Sequence, residues 1–304
     1  MDLRQLQYFL AIVDHGGYHR AAEALLVSQP SLSQSIANLE RELGVPLFHR
    51  VGRGVVLSSA GQDPVGRART LVRDLEAARA TVLARRGLQA GRVDVVSMPS
   101  PGIEPLTGLV SAFLSRHPDM AVNVRAAFRP EETLAAVRTG EAEIGLVGSR
   151  EAVRAADLVV VPMGRQPLVL IVSPAHDGFG TERTVRREGL AGQPFVVSQQ
   201  GSLMRWLIDD VIAGGTDARI VAEVGHRTSI LPLVLAGVGH AVLPSAWTEL
   251  ARASGLRVLG IEPRVPLHVA VVARPAHLTP GAAAFLDLAR ATPRRRREAG
   301  VEQD

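Results

Sequence analysis

The sequence predicts an α/β chain led by an all-α N-terminal unit, within a total of 304 residues. Three observations predict it. Apolar residues recur at helical spacing through the first forty-odd positions. A long helical pattern follows at 58–86. Beyond residue 91, short apolar β-type runs alternate with helical stretches, which is the pattern of a sheet covered by helices.

Leu3, Leu6, Phe9, Leu10 and Val13 mark an amphipathic helix that ends before His15-Gly16-Gly17. A second helix covers about 18–26, with Ala21, Ala22 and Leu25 turned inward. A third begins at Ser28, a good N-cap, with Pro30 in the first turn where its missing N–H costs nothing. Leu32, Ile36, Leu39 and Leu43 give it an apolar stripe, and Gly44 ends it. "VPLFHRVGRGVVLS" reads as two short strands around Gly52-Arg53-Gly54. From Ser58 to Arg86, Val65, Ala68, Val72, Leu75, Arg79 and Val82 form a heptad seam flanked by Leu71 and Ala78. Such a seam pairs two subunits or lies on a neighbouring domain, and the arginine-rich remainder of the surface favours pairing. Pro64 is expected to kink the first turns, and Gly87 to Gly91 reads as a hinge.

Then come a strand at "RVDVVSM", a helix from Ile103 to His117, a strand at "MAVNVRAAF", a helix from Glu131 to Arg138 and a strand at "EIGLVG". "PLVLIVS", "FVVS", "RIVAEV", "HAVLP" and "LHVAVVA" are further strands, with helices near 202–213, 228–236 and 281–290. The tail at 293–304, rich in arginine, is expected to be disordered.

Composition narrows the function. There is no cysteine, so disulfides and thiolate metal sites are excluded. No apolar run approaches the roughly 20 residues that span a bilayer, and the N-terminus lacks the pattern of a signal peptide. A soluble, cytoplasmic protein with no membrane partner is expected. All 34 basic residues are arginine, yet the formal net charge is only +4. Residues 1–61 hold five arginines and five acids, so bulk charge gives no argument for nucleic acid. The nine histidines are scattered without zinc spacing. There is no nucleophile elbow and no dinucleotide fingerprint. No enzyme activity, cofactor or metal is therefore expected.

The third helix is unusual. Ser33, Gln34 and Asn38, with Gln29 and Ser31 at its tip, crowd its open face with short uncharged hydrogen-bonding groups. These are mediocre helix formers, but they suit base edges and phosphates. Gln and Asn bond adenine bidentately, and Ser bonds bases or phosphate. A solvated face with serine caps is the alternative. Three short helices with the third so equipped resemble a helix-turn-helix, whose recognition helix enters the major groove. The following hairpin would be a wing, flanked by Arg50 and Arg53; an arginine at its tip suits a narrow, electronegative minor groove, and a solvated loop charge is the alternative for Arg53.

Residues 3–61 as a whole resemble the N-terminal domain of LysR-type transcriptional regulators. "AAEALLVSQPSLSQSIANLE", "LGVPLFHR" and "LSSAG" carry the resemblance without a gap. Gly17, Tyr18 and His19 depart from the family's common Ser, Phe and Thr, and Gln34 stands where Arg is frequent. The resemblance implies a winged helix-turn-helix at 1–58 and a linker and dimerisation helix with hinge at 59–90. It also implies an effector-binding domain at 91–292, with subdomain I at 91–161 and 266–292 and subdomain II at 162–265, similar to a periplasmic solute-binding protein. The implied partners are double-stranded promoter DNA, a small-molecule effector and further copies of the chain, as homodimer or homotetramer. An activator would also meet RNA polymerase. Carried over by position, the effector residues are Ser97, Pro99, Ser100, Gly148, Gln200, Gly201, Ser202, His226 and Thr228, with Phe128 and Arg129 beside them. Helix caps and turn geometry are the competing explanation for the serines and glycines. Helix N-termini, and Arg129 unless it is a solvated loop charge, bias the site toward a neutral or anionic ligand. The alternative is a DNA-binding regulator whose cleft is non-functional or answers to a protein partner.

Overall fold

The computed structural model describes residues 1–51, 54–84, 91–176, 178–200, 203–213 and 218–292. Helices α1 (Leu3–His15), α2 (Tyr18–Ala24) and α3 (Gln29–Leu43) bury Phe9, Ile12, Ala21, Leu32, Ile36 and Leu39 in one small core. Asp2 caps α1 reciprocally with Gln5, and the Ser28 hydroxyl accepts from the Ser31 N–H at the start of α3. Ala21 lets α2 pack closely on the other two helices. Leu43, read as part of the α3 stripe, is instead exposed, because the helix runs out past its partners.

Strands β1 (Phe48–Val51) and β2 (Gly54–Leu57) form an antiparallel hairpin, with Phe48 opposite Leu57 and Arg50 opposite Val55. The expected 58–86 helix is divided into α4 (Ser59–Gln62) and α5 (Val65–Ala84), and Pro64 sits at the break. The seam on α5 is only partly free. Val65, Ala68 and Val72 pack on the core of the three helices, so that part of it is used within one chain. Leu71 stays 52% exposed on another side.

The α/β unit opens with β3 (Gly91–Ser97). The helix expected at Ile103–His117 starts earlier and is divided into α6 (Pro99–Ile103) and α7 (Leu106–Arg116), with Pro105 between them. Next come β4 (Met120–Ala126), α8 (Pro130–Arg138), β5 (Ile144–Ser149) and the long β6 (Val159–Val172). Then follow β7 (Thr184–Arg186), β8 (Pro194–Ser198), α9 (Leu203–Ala213), β9 (Arg219–Val224), α10 (Ile230–Leu235) and β10 (Ala241–Pro244). The chain finishes with α11 (Thr248–Ala253), β11 (Arg257–Glu262), β12 (Pro266–Ala273) and α12 (Pro280–Ala291).

One strand joins two halves. In the first half the order is β4-β3-β5-β12, with β3 parallel to β4 and β5, and β12 pairs Val159 to Pro167 of β6. Further along, Leu168–Val172 of β6 lies between β10 and β11, and β11 pairs β7. Beside this second half, β8 and β9 form a parallel pair. Each half has its own apolar core: one around Phe113, Ile144, Leu146 and Phe285, the other around Leu170, Phe195, Val234 and Leu259. The first half carries β-branched residues on both faces of its strands, as a sheet covered on both sides requires. α5 meets this half through the Arg69–Glu141 ion pair at 3.3 Å, and His277 Nδ1 lies 3.4 Å from Asp74 Oδ1. No described helix is long and apolar enough to cross a membrane.

Candidate nucleic-acid interface and effector cleft

The open face of α3 carries Gln29, Ser31, Gln34 and Asn38, all exposed, with Ser33 half-buried. Their helical spacing places them opposite Leu32, Ile36 and Leu39, which are buried. Gln34 donates to Asn38 Oδ1 at 3.0 Å, and Arg41 donates to the same oxygen at 3.1 Å. Arg41 was not among the residues singled out from sequence; its position three residues after Asn38 was the available signal. This chain of exposed groups carries donors and acceptors that a base edge or phosphate can replace at little cost.

The hairpin is braced against α3. Glu40 Oε1 accepts from the N–H groups of Leu47, at 2.7 Å, and Phe48, at 3.2 Å. The Ser58 hydroxyl donates to the Pro46 carbonyl at 2.6 Å, and Ser58 N–H donates to the Leu47 carbonyl at 2.9 Å. These bonds connect "LGVPLF" to "LSSAG" and set the angle of the wing. Phe48 packs at a tilt on Phe9, with ring centroids 5.5 Å apart, and meets Tyr18 edge-on at 5.9 Å. Tyr18 is thus engaged in packing, while His19 is exposed beside Glu23 at 3.3 Å. The backbone of Arg50 lies in β1; Arg53 lies outside the described residues.

The predicted effector residues separate into groups. Phe128, Arg129 and Gln200 line one cavity of about 110 Å³, together with Ser198, Gln199, Gly225 and Arg227. The other serines from the first half are engaged internally. Ser97 donates to the Met98 carbonyl at 2.9 Å. The Ser100 hydroxyl, buried, accepts from Trp247 Nε1 at 3.2 Å. That bond joins the α6 turn to the segment after β10. Pro99 is the first residue of α6 and half-buried. Gly148 is a packing position, where an added Cβ would meet Leu267 at 2.9 Å. His226 and Thr228 are exposed and do not line the cavity. Gly201 and Ser202 lie outside the described residues, as do the hinge residues 87–90 and the tail.

Sequence reasoning missed Arg227 and Ser198. Arg227 is 6% exposed and lies between the two expected effector residues His226 and Thr228. Burial pulls its guanidinium down to about 10, so it remains protonated at neutral pH. Nothing local marks it, since its burial is set by the fold. A second cavity, about 320 Å³, opens elsewhere, beside Pro105, Leu109, Arg165 and Gln166. Among the described residues no cluster of His, Cys, Asp and Glu is suited to a metal.

Comparison with known proteins agrees with this layout. Residues 3–62 match the bacterial regulatory helix-turn-helix protein, LysR family, and residues 86–294 match the LysR substrate binding domain. The uncharacterized HTH-type transcriptional regulator YfeR of Shigella flexneri is 30% identical over 276 residues, covering 90% of this chain and 88% of YfeR. The HTH-type transcriptional regulator IlvR of Caulobacter vibrioides is 29% identical over 257 residues, covering 83% of this chain and 85% of IlvR. Among solved structures, a full-length OxyR variant from Pseudomonas aeruginosa has the same fold, with TM-score 0.75, 24% identity and coverage of 100% of this chain and 99% of that one. Full-length CbnR complexed with its target DNA superposes with TM-score 0.69 and 25% identity, covering 95% of this chain and 99% of that one. The two family matches follow each other along the chain, over the three-helix head and the paired α/β halves, and the chain belongs to the LysR family of bacterial transcriptional regulators.

Proposed function

We propose that this chain is a cytoplasmic, non-enzymatic one-component regulator that reads promoter DNA with α3 and the wing and senses a small molecule between its two α/β halves. The observation that carries the reading is the exposed Gln34–Asn38–Arg41 chain on a helix hydrogen-bonded to the hairpin that follows it. In the recognition-helix geometry these side chains face base edges, while Gln29, Ser31 and Ser33 near the helix N-terminus take phosphates. Arg50 and Arg53 serve the wing. A helix-turn-helix gains specificity as a dimer on two half-sites. On α5, Leu71, Leu75 and Ala78 step by four and three, and Leu71 and Ala78 are exposed. This stripe, displaced from the one expected, is the proposed pairing face of a homodimer or of each dimer in a tetramer.

The division into residues 1–58, 59–90 and 91–292 is kept as part of this proposal. The sensing site is the cavity of Phe128, Arg129, Gln200 and Arg227, with Gly201 and Ser202 next in sequence. It signals only if the ligand favours one arrangement of the halves over the other. The Ser100–Trp247 bond is one contact that such a rearrangement would load. The test is competition binding of the full chain to a bound genomic fragment against random duplex, with and without metabolites. Equal affinity for both duplexes refutes DNA reading. Specific binding that no metabolite alters favours the alternative of a silent cleft or a protein partner.

A further inference from the structure

The cavity between the halves has an unmatched chemistry. Arg227 Nη2 and Ser198 Oγ are both buried and both lack a hydrogen-bond partner, and both residues line this one cavity. Arg227 is 6% and Ser198 4% exposed. A buried guanidinium without a counter-charge is costly, and proteins normally pair such groups. This chain follows that rule nearby: Arg205, equally buried, is held by Asp209 at 2.5 Å and Glu223 at 2.6 Å. No acidic side chain lines the cavity among the described residues, whereas a second arginine, Arg129, stands at its exposed side.

We propose that Arg227 and Ser198 hold the carboxylate of a small organic acid, which makes the effector an anion anchored on the β8 and β9 side of the cleft. The inference rests on the reading of this cavity as the sensing site. A carboxylate is planar and presents two oxygens, which matches one edge of a guanidinium plus one hydroxyl. The cavity, at about 110 Å³, is small beside the roughly 300–1,000 Å³ of drug-sized pockets, so the acid group and a short stem fill it. Phe128, 50% exposed, supplies an apolar face for the stem. An ammonium ligand would place a third positive charge beside two arginines.

The test uses thermal melting of the full-length protein with sodium acetate as the minimal probe, against sodium chloride at equal ionic strength and against neutral acetamide. Acetate should raise Tm saturably and acetamide should not. Arg227→Gln should weaken acetate by roughly 30-fold or more, and Ser198→Ala by roughly tenfold. Without any probe, Arg227→Met should melt at or above the wild-type temperature, because an unpaired buried charge has been removed. The proposal is overturned if acetate gives no saturable shift, if Arg227→Gln keeps the full shift, or if probe-free Arg227→Met melts well below wild type. Inorganic phosphate acting more strongly than acetate overturns the carboxylate assignment. Two further outcomes separate this failure from failure of the cleft reading. A neutral or cationic metabolite whose effect is lost in Gln200→Ala but kept in Arg227→Gln overturns the acid and leaves the cleft standing. An acetate shift that survives both Arg227→Gln and Ser198→Ala but is lost in Arg165→Gln moves binding to the 320 Å³ cavity and overturns both.

Discussion

Gly61→Ala is a one-methyl change with a large expected effect on the wing. Gly61 is buried where α4 meets the start of the hairpin, and its N–H donates to the Ser58 hydroxyl at 2.9 Å. A Cβ there would stand 2.9 Å from the Leu47 carbonyl carbon, 3.0 Å from Leu57 Cδ2, and closer still to the Leu47 oxygen. Ordinary van der Waals contact begins at 3.4 Å, and the Leu47 oxygen is the limiting atom, so backbone must retreat by about an ångström. The Leu47 carbonyl also accepts from Ser58 N–H, so retreat stretches one of the bonds that brace the hairpin. Overpacking and a weakened buried hydrogen bond together cost about 2–3 kcal/mol. Hydrogen exchange should quicken across residues 46–62, while α/β protection stays as it was. Fluorescence anisotropy with a bound promoter fragment should show a loss of roughly tenfold or more, since about 1.4 kcal/mol is a factor of ten. Gly108→Ala in α7 is the control: a Cβ there meets nothing within 4 Å, and the change should stabilise by about 0.5–1 kcal/mol. If Gly61→Ala exchanges and binds like wild type, the contacts of Leu47 and Ser58 do not brace the wing.

Replacing Gln34 or Asn38 with Ala should cost about 1–3 kcal/mol on specific DNA and little on random duplex, read by competition titration. Leu71→Arg should lower the sedimentation mass while leaving the melting temperature nearly unchanged; Val72→Asp, at a packed position, should instead destabilise the helical head. Ser100→Ala leaves the buried Trp247 N–H without its acceptor and should cost about 1–3 kcal/mol in chemical unfolding. Burial, followed by Arg165, pushes the His268 imidazole below its ordinary value of 6.5. The folded protein thus binds this proton less readily than the unfolded chain. The associated stability is complete above about pH 6.5 and is lost as the pH falls toward the lower folded value; in His268→Gln the decline in melting temperature between pH 7 and 5 should be shallower.

The helical head was largely legible in sequence, because its signals are local: apolar spacing, Ser28 as cap, Gly16 and Gly44 as stops. The strands buried on both faces were legible as apolar runs. The short β7 and β11 were missed, since Thr184–Arg186 and Arg257–Glu262 carry charges at their ends and acquire strand form by pairing with each other and with β6. The crossover was underestimated for the same reason: Val159–Gln166 extends β6 only because β12 lies alongside. The break at Glu104–Pro105 was overlooked although Pro105 stood in the helix pattern. On α5 the apolar stripe was visible, but which side met the head and which stayed open depended on the packing of α1. The cleft was least legible. A serine after a strand looks the same whether it meets a ligand, as proposed for Ser198, or an indole across the molecule, as Ser100 does. Arg227 is one of 34 arginines, and only the fold buries it.

The most direct test of the account is selection of bound duplexes from a random DNA pool by the full-length protein, with Gln34→Ala/Asn38→Ala selected in parallel. One enriched motif is expected, with inverted half-sites centred about one helical turn, or a multiple of it, apart. In the double variant the enrichment should be lost at the bases those residues read. No enrichment above the starting pool, or the same motif at the same strength from the double variant, would contradict it.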